Sequence, residues 1–169
     1  KRKLMVIWII GLSGSGNTYL SKKILKKISK NKKFIHLDGD EFREYISKDL
    51  GYSLKDREIN AERISKLVKF LSDKNINLIV SVLSNFPHWL SWNKKNIKNY
   101  YEIFIQVDKK ELFKRNKKNL YLSRKKNVVG KDIKFYPPKK PNIIFKNNFN
   151  NKKLNFFLKE LSKKLKIYD

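Results

Sequence analysis

Apolar runs of strand length alternate along this chain with stretches of helical spacing. Residues 4–10 form a continuous apolar, β-branched run, the pattern of a strand buried on both faces. Residues 11–16 are a turn, and 18–29 carry Leu20, Ile24, Leu25 and Ile28 on one helical face. A second short strand is predicted over 34–37, ending in Asp38-Gly39-Asp40, with a helix over 41–50. Ser53 and Asp56 have capping-box spacing, with Asp in place of Glu. They open a long helix whose buried stripe is Ile59, Ile64, Leu67, Val68 and Leu71.

Further strands are predicted over 78–83, 102–107 and 143–145, with an irregular helix over 90–98 and a short one over 110–115. Residues 117–140 are polar, basic and proline-terminated, the pattern of a mobile lid. A last helix shows Leu154, Phe157, Leu158, Leu161 and Leu165 on one face. This alternation predicts one α/β domain over 1–169, with a central parallel five-stranded sheet and helices on both faces, a three-layer arrangement. Ligands of such sheets bind at the carboxyl ends of the strands. Both the Gly/Ser turn and the Asp-Gly-Asp turn fall at that edge.

Composition narrows the chemistry. No cysteine is present, which excludes disulfides and thiolate metal sites, and with only His36 and His88 no zinc site is expected. Lys1-Arg2-Lys3 ahead of the first apolar run resembles the basic start of a leader. The run is too short to span a membrane and leads into a polar loop, so a buried strand explains it better. The expected protein is soluble and cytoplasmic, with no membrane partner.

The net charge of +26 predicts non-specific attraction to polyanions at low salt. Lysine and asparagine are spread throughout as solvated filler, and no Arg/Gly tract or aromatic-plus-basic strand stands out, so no specific nucleic-acid partner is expected. Arginine is scarce, limited to Arg2, Arg43, Arg57, Arg63, Arg115 and Arg124. Because its planar fork suits phosphate, carboxylate or a base, the interior arginines are candidate ligand contacts.

Gly11-Leu12-Ser13-Gly14-Ser15-Gly16-Asn17-Thr18 fits the Walker A phosphate-loop pattern except at its lysine, which is Asn17. Such a loop curls so that backbone N–H groups point at a phosphate, and the following helix adds its positive end. Thr18 is placed to ligate Mg²⁺. The plainer alternative is an ordinary glycine-rich turn. A Walker lysine offsets charge as a phosphoryl group transfers, and a neutral, shorter Asn17 cannot. Loss of one such preorganised contact costs about 3–4 kcal/mol, or roughly 10²–10³ in rate. Arg115, Lys118 or Arg124 could compensate in part. Asp38 and Asp40 could hold Mg²⁺-bound water and accept a hydroxyl proton, or simply form a turn and helix cap.

Taken in order, Gly11 to Gly16, Leu37-Asp38-Gly39-Asp40-Glu41-Phe42-Arg43, Asp49-Leu50-Gly51-Tyr52, Asp56-Arg57 with Asn60 and Arg63, and Leu83-Ser84 resemble the adenylylsulfate (APS) kinase signature. Arg115, Leu120-Tyr121, Gly130 with Asp132, and Pro138 are similar to later landmarks of that family. The resemblance runs from about Val6 to Phe145.

It implies a P-loop kinase fold that moves the ATP γ-phosphate, with Mg²⁺, to the ribose 3′-hydroxyl of adenosine 5′-phosphosulfate. It implies nucleotide donor contacts at Ser13, Gly14, Ser15, Gly16, Asn17, Thr18, Tyr19 and Arg115, the last near the adenine. Asp40, Arg43, Tyr52, Arg57, Asn60, Leu83, Ser84, Lys131 and Asp132 would meet the acceptor, with Tyr52 stacking on its base. Metal would sit at Thr18 and Asp38, and catalysis would involve Asp38, Asp40 and Asn17. Family members often form dimers, so the resemblance allows a homodimer, though the sequence itself does not set the oligomeric state.

The chain also departs from that pattern. Glu41 stands where the family has Asn. The lid reads Asn119-Leu120-Tyr121-Leu122-Ser123-Arg124-Lys125 in place of Gly-Leu-Tyr-Lys-Lys-Ala-Arg, so the paired lysines of that motif are absent. Related enzymes phosphorylate other nucleotide 3′-hydroxyls, including cytidine diphosphoramidate in capsule modification. The leading expectation is an active nucleotide 3′-kinase. The alternative is a catalytically impaired nucleotide-binding module, which Asn17 would explain.

Overall fold

Strand β1 (Val6–Ile10) runs through the middle of the molecule with all five side chains buried. Five such residues each contribute roughly 1.5–3 kcal/mol when fully withdrawn from water, so this run anchors the sheet. The computed structural model describes residues 4–28, 33–115 and 119–165. The Lys1-Arg2-Lys3 run, Ser29 of the first predicted helix, and Lys117 and Lys118 of the predicted lid lie outside the described residues.

The remaining strands are β2 (Phe34–Asp38), β3 (Asn77–Val82), β4 (Tyr100–Gln106) and β5 (Ile143–Lys146). All pair in parallel in the order β2-β3-β1-β4-β5. The chain steps outward from β1 to β2, returns to β3, then crosses β1 to β4. Its direction of winding therefore reverses at β1, and a crevice opens at the carboxyl end of that strand.

Among the described residues six helices cover the sheet: α1 (Asn17–Ile28), α2 (Gly39–Tyr45), α3 (Leu54–Asp73), α4 (Pro87–Asn96), α5 (Lys109–Arg115) and α6 (Asn151–Lys164). Leu20 and Ile24 of α1, with Leu154, Leu158 and Leu161 of α6, pack on Ile7, Ile9, Ile79, Ile103 and Ile105. On the other face Phe42 of α2, Ile64 and Val68 of α3 and Leu90 of α4 meet Val6, Trp8, Ile10, Leu78 and Val80. Three layers result, as the alternation predicts. Among the described residues no helix is long and apolar enough to cross a membrane.

The capping chemistry places two of these helices. Ser53 caps α3 by accepting from the Asp56 amide, and the shorter Asp56 carboxylate takes the Ser53 hydroxyl at 2.7 Å rather than a backbone amide. Helix α2 stops at Tyr45, short of the predicted 50, because the amides of Ile46 and Ser47 both turn back to the Phe42 carbonyl. Helix α4 begins at Pro87, earlier than predicted, with proline in the first turn where its missing N–H costs nothing.

The segment after α5 is anchored among its described residues rather than free. Tyr121, Val128 and Val129 are buried against Leu12 and Leu112 in a third apolar cluster. A Cβ at Gly130, where φ is +92°, would press on Leu12 side-chain carbons at 3.0 Å. That contact ties the lid to the first turn of the glycine loop.

Candidate active site

The glycine loop leaves β1 at the winding reversal and closes on the amino end of α1. Gly14 and Gly16 take φ of +81° and +101°, which side chains other than glycine resist, and this curls the loop. The Asn17 side chain does not point out of the loop; it holds the loop from inside. Its Nδ2 donates to the Gly11 carbonyl at 2.9 Å and lies 3.5 Å from the Val82 carbonyl, while its Oδ1 accepts from the Ser15 hydroxyl at 2.9 Å. A Cβ at Gly11 would collide with Ser15 Oγ and Asn17 Oδ1, so glycine there makes room for this bracing.

Beneath the loop lies Asp38, the last residue of β2. Its Oδ1 accepts from the Asp40 amide and caps α2, while its Oδ2 accepts from the hydroxyls of Thr18 at 2.7 Å and Ser81 at 3.0 Å. The cap and the phosphate-site roles are therefore combined in one side chain. Burial works against ionisation of this carboxyl, but hydrogen bonds from Thr18, Asp40 and Ser81 outweigh it and hold the pKa below the usual range. His36 Nε2 lies 2.9 Å from the Ser81 hydroxyl, and burial lowers its pKa.

Two guanidinium groups face each other on the far side of the same space. Arg43 and Arg57 lie 4.9 and 5.3 Å from the Tyr52 ring centre. Arg43 donates to the Gly51 carbonyl at 2.7 Å; Arg57 donates to the carbonyls of Tyr52 at 3.1 Å and Asn127 at 2.8 Å. Burial, then the adjacent Arg43 charge, pushes the Arg57 pKa down, while Asp40 opposes that shift. Two like charges held together by backbone carbonyls form a pocket for an anion.

A single cavity of about 1360 Å³ connects these parts. Of the predicted site residues, Ser13, Gly14, Gly16, Asn17, Thr18, Tyr19, Asp38, Asp40, Arg43, Tyr52, Arg57, Asn60, Leu83, Ser84 and Arg115 line it. Ser15 is buried behind Asn17 and shapes the loop instead. Lys131 and Asp132 are not brought to the cavity. Lys131 Nζ donates to the carbonyls of Ser123 and Lys125, and Asp132 accepts from the Val128 amide, so both brace the lid. Arg63 forms a two-pronged ion pair with Asp49 at 2.7 Å and holds the turn between α2 and α3. Of the proposed compensating cations, Arg124 does not line the cavity, and Lys118 lies outside the described residues.

Several residues of the site carry no motif. Asn147, just past β5, donates to the Ser15 carbonyl at 2.9 Å and accepts from the Phe149 amide at 2.8 Å. Phe149, with φ at +61°, sets its ring 3.6 Å from the Arg115 guanidinium carbon. Asn85 bridges the lid by donating to the Lys134 carbonyl and accepting from the Tyr136 amide. Tyr121 donates its hydroxyl to the Ser13 carbonyl at 2.7 Å. The usable signal for Asn147 and Phe149 is topological: the loop after every parallel strand opens at the ligand edge.

A curled glycine loop on a helix start, above an aspartate that engages the loop's threonine, is how P-loop kinases cradle a nucleoside triphosphate, and this protein is a phosphotransferase of that class. Its sequence matches the adenylylsulphate kinase family over residues 3–146. It is 37% identical over 169 residues to the cytidine diphosphoramidate kinase of Campylobacter jejuni, covering 96% of this chain and 99% of that protein. It is 31% identical over 150 residues to the adenylyl-sulfate kinase of Pseudomonas aeruginosa, with 85% of this chain and 76% of that protein covered. The structure of the Mycobacterium tuberculosis APS kinase CysC in complex with AMPPNP and APS superposes with a TM-score of 0.85 at 24% identity, covering 98% and 99% of the two chains. The chain belongs to the adenylylsulfate kinase family. That membership implies ATP as phosphoryl donor, and the relatives' names lend no support to an impaired binding module.

Proposed function

We propose that this chain transfers the γ-phosphate of ATP to the ribose 3′-hydroxyl of a nucleotide with a modified 5′ end. The acceptor is adenosine 5′-phosphosulfate or an analogue such as cytidine diphosphoramidate. The observation that carries this reading is the single cavity lined by Gly14, Gly16, Asn17 and Thr18 of the loop and by the Arg43–Arg57 pair. A protein that only bound ATP would have no use for the second anion pocket. Similarity along nearly the whole chain to a cytidine diphosphoramidate kinase favours that acceptor over APS.

The chain's own residues divide the work. Loop amides and the α1 start hold the donor phosphates. Arg43 and Arg57 grip the acceptor's 5′ anion, and Asn60 and Ser84 line the pocket between. Asp40, at the start of α2, accepts the proton of the 3′-hydroxyl as its oxygen bonds to the γ-phosphorus. The bond to the bridging oxygen breaks, and ADP leaves with that electron pair.

Mg²⁺ fits the Thr18–Asp38 pair: both present hard oxygen atoms, and Asp38 is held ionised. Among the described residues no group of three or more acidic or histidine side chains gathers, so phosphate oxygens and water would complete its shell. When bound, the ion neutralises charge on the transferring phosphate. The deciding experiment is an acceptor screen with ATP and Mg²⁺, comparing APS with cytidine diphosphate analogues on this chain and its Asn17→Lys variant. A 3′-phosphorylated product from one of them is expected. Absence of transfer to every acceptor in both proteins would overturn the proposal.

A further inference from the structure

With Asn17 folded into the loop, the positive charge that a phosphate-loop lysine brings to phosphoryl transfer has to come from another part of the cavity. Among the described residues six cationic side chains line it: Arg43, Lys48, Arg57, Arg115, Lys125 and Lys126. Arg43 and Arg57 are committed to carbonyls of the acceptor pocket. Arg115 is held over the Phe149 ring. Lys48 stands in the turn between α2 and α3, outside the stretch from Tyr121 to Asn127 that joins the loop to Arg57. Lys125 and Lys126 remain.

Their position follows from two fixed points. Tyr121 is pinned to the phosphate loop through the Ser13 carbonyl, and the Asn127 carbonyl is pinned to Arg57. The chain between these points therefore passes from the donor cradle to the acceptor pocket, over the path the phosphoryl group takes. Lys131 Nζ clamps this turn through the Ser123 and Lys125 carbonyls, and the Ser123 hydroxyl accepts from the Lys125 amide. Among the described residues neither the Lys125 nor the Lys126 side chain forms a hydrogen bond or ion pair, and both residues line the cavity.

We propose that Lys125 and Lys126 supply the charge over the transferring phosphoryl group that the phosphate loop omits at Asn17. This rests on the phosphotransfer reading above. The lysine pair missing from positions 122 and 123 is thus displaced along the turn rather than lost: Leu122 is exposed, and Ser123 forms the turn. The plainer alternative is that two solvated lysines happen to border a large cavity, and the two readings differ in how they couple to position 17.

The test is a double-mutant cycle. Four proteins are compared: the chain as it stands, Lys125→Ala/Lys126→Ala, Asn17→Lys, and the triple variant. Turnover with the best acceptor is expected to fall about 100-fold on removing the lysines beside Asn17, but less than about tenfold beside Lys at position 17. A Lys125→Arg/Lys126→Arg variant is expected to retain most activity, since charge is preserved. Equal losses in both backgrounds, or turnover within twofold after the lysines are removed, would overturn the proposal.

A second readout separates this proposal from the choice of acceptor. The ratio of affinities for a non-hydrolysable ATP analogue and for ADP is measured by titration on the same proteins. The lysines facing the γ-phosphate predict that the preference for the triphosphate shrinks at least about fivefold in Lys125→Ala/Lys126→Ala. If no acceptor is phosphorylated, the functional reading fails while this ratio still decides the proposal. An unchanged ratio sinks it. Both side chains are exposed, and matching melting temperatures show that the fold is kept.

Discussion

Replacing Asn17 with lysine should make this protein faster and less stable at once. The side chain now joins Gly11, Ser15 and the end of β3 through its carboxamide. Lysine offers no acceptor to the Ser15 hydroxyl, which is buried. A buried donor left without a partner costs about 1–3 kcal/mol. For a chain of this size, each kcal/mol lowers the melting temperature by about 2–4 °C, so a fall of roughly 2–12 °C is expected. Against this, a lysine extended toward the donor phosphates restores a charge contact worth up to about 3–4 kcal/mol in the transition state. With the lid lysines already sharing that task, turnover should rise at least about tenfold, with little change in the KM for the acceptor. A coupled assay of ADP release and a thermal melt on the same preparations measure both quantities. Unchanged turnover across all acceptors would refute the missing charge assigned to position 17, and a higher melting temperature would refute its bracing role.

Other consequences are equally direct. Asp40→Ala should abolish transfer, by at least about 100-fold in turnover, while ATP affinity measured by titration stays within severalfold; retained turnover removes Asp40 as the base. Phe149→Ala takes the ring from beneath Arg115, a contact worth about 0.5–2 kcal/mol, so the KM for ATP should rise roughly 2–30-fold with turnover nearly constant. An unchanged KM would show that Arg115 needs no platform. The His36 pKa is lowered by burial, so below the ordinary value of about 6.5 the unfolded chain takes up that proton first and stability falls with acidification. Asp38, whose folded pKa is lowered, adds stability that is complete above the ordinary carboxylate range and is lost as pH falls through its folded value. Melting temperatures between pH 7.5 and 5.5 should therefore decline, and His36→Gln should flatten the decline; an identical slope in the variant contradicts this.

The β1 run, the glycine loop and the Ser53 cap could be read in advance because each is local: burial on both faces, backbone curl and side-chain capping leave marks within a few residues. That Arg43 and Arg57 line the cavity was legible for a related reason, since arginine is rare enough in this lysine-rich chain to stand out. What escaped depends on contacts far apart in sequence. Tyr121, Val128 and Val129 carry no periodicity and became buried only because Leu12 and Leu112 lie opposite them. Lys131 and Asp132 matched a motif by position, yet the turn they sit on uses both for its own carbonyl and amide groups. Asn147 and Phe149 acquire meaning only once β5 is docked beside β4 and its following loop meets Ser15. Asn17 was read as a missing charge; its bonds show that it is also a strut.

The central claim is that donor and acceptor occupy one cavity together, at the loop and at the arginine pair. Titration of the preferred acceptor nucleotide into protein saturated with a non-hydrolysable ATP analogue and Mg²⁺ tests it most directly. Undiminished acceptor binding to the saturated protein is expected, with its loss in Arg57→Ala while analogue affinity is retained. Competition between the two nucleotides, or acceptor binding indifferent to Arg57, would contradict it.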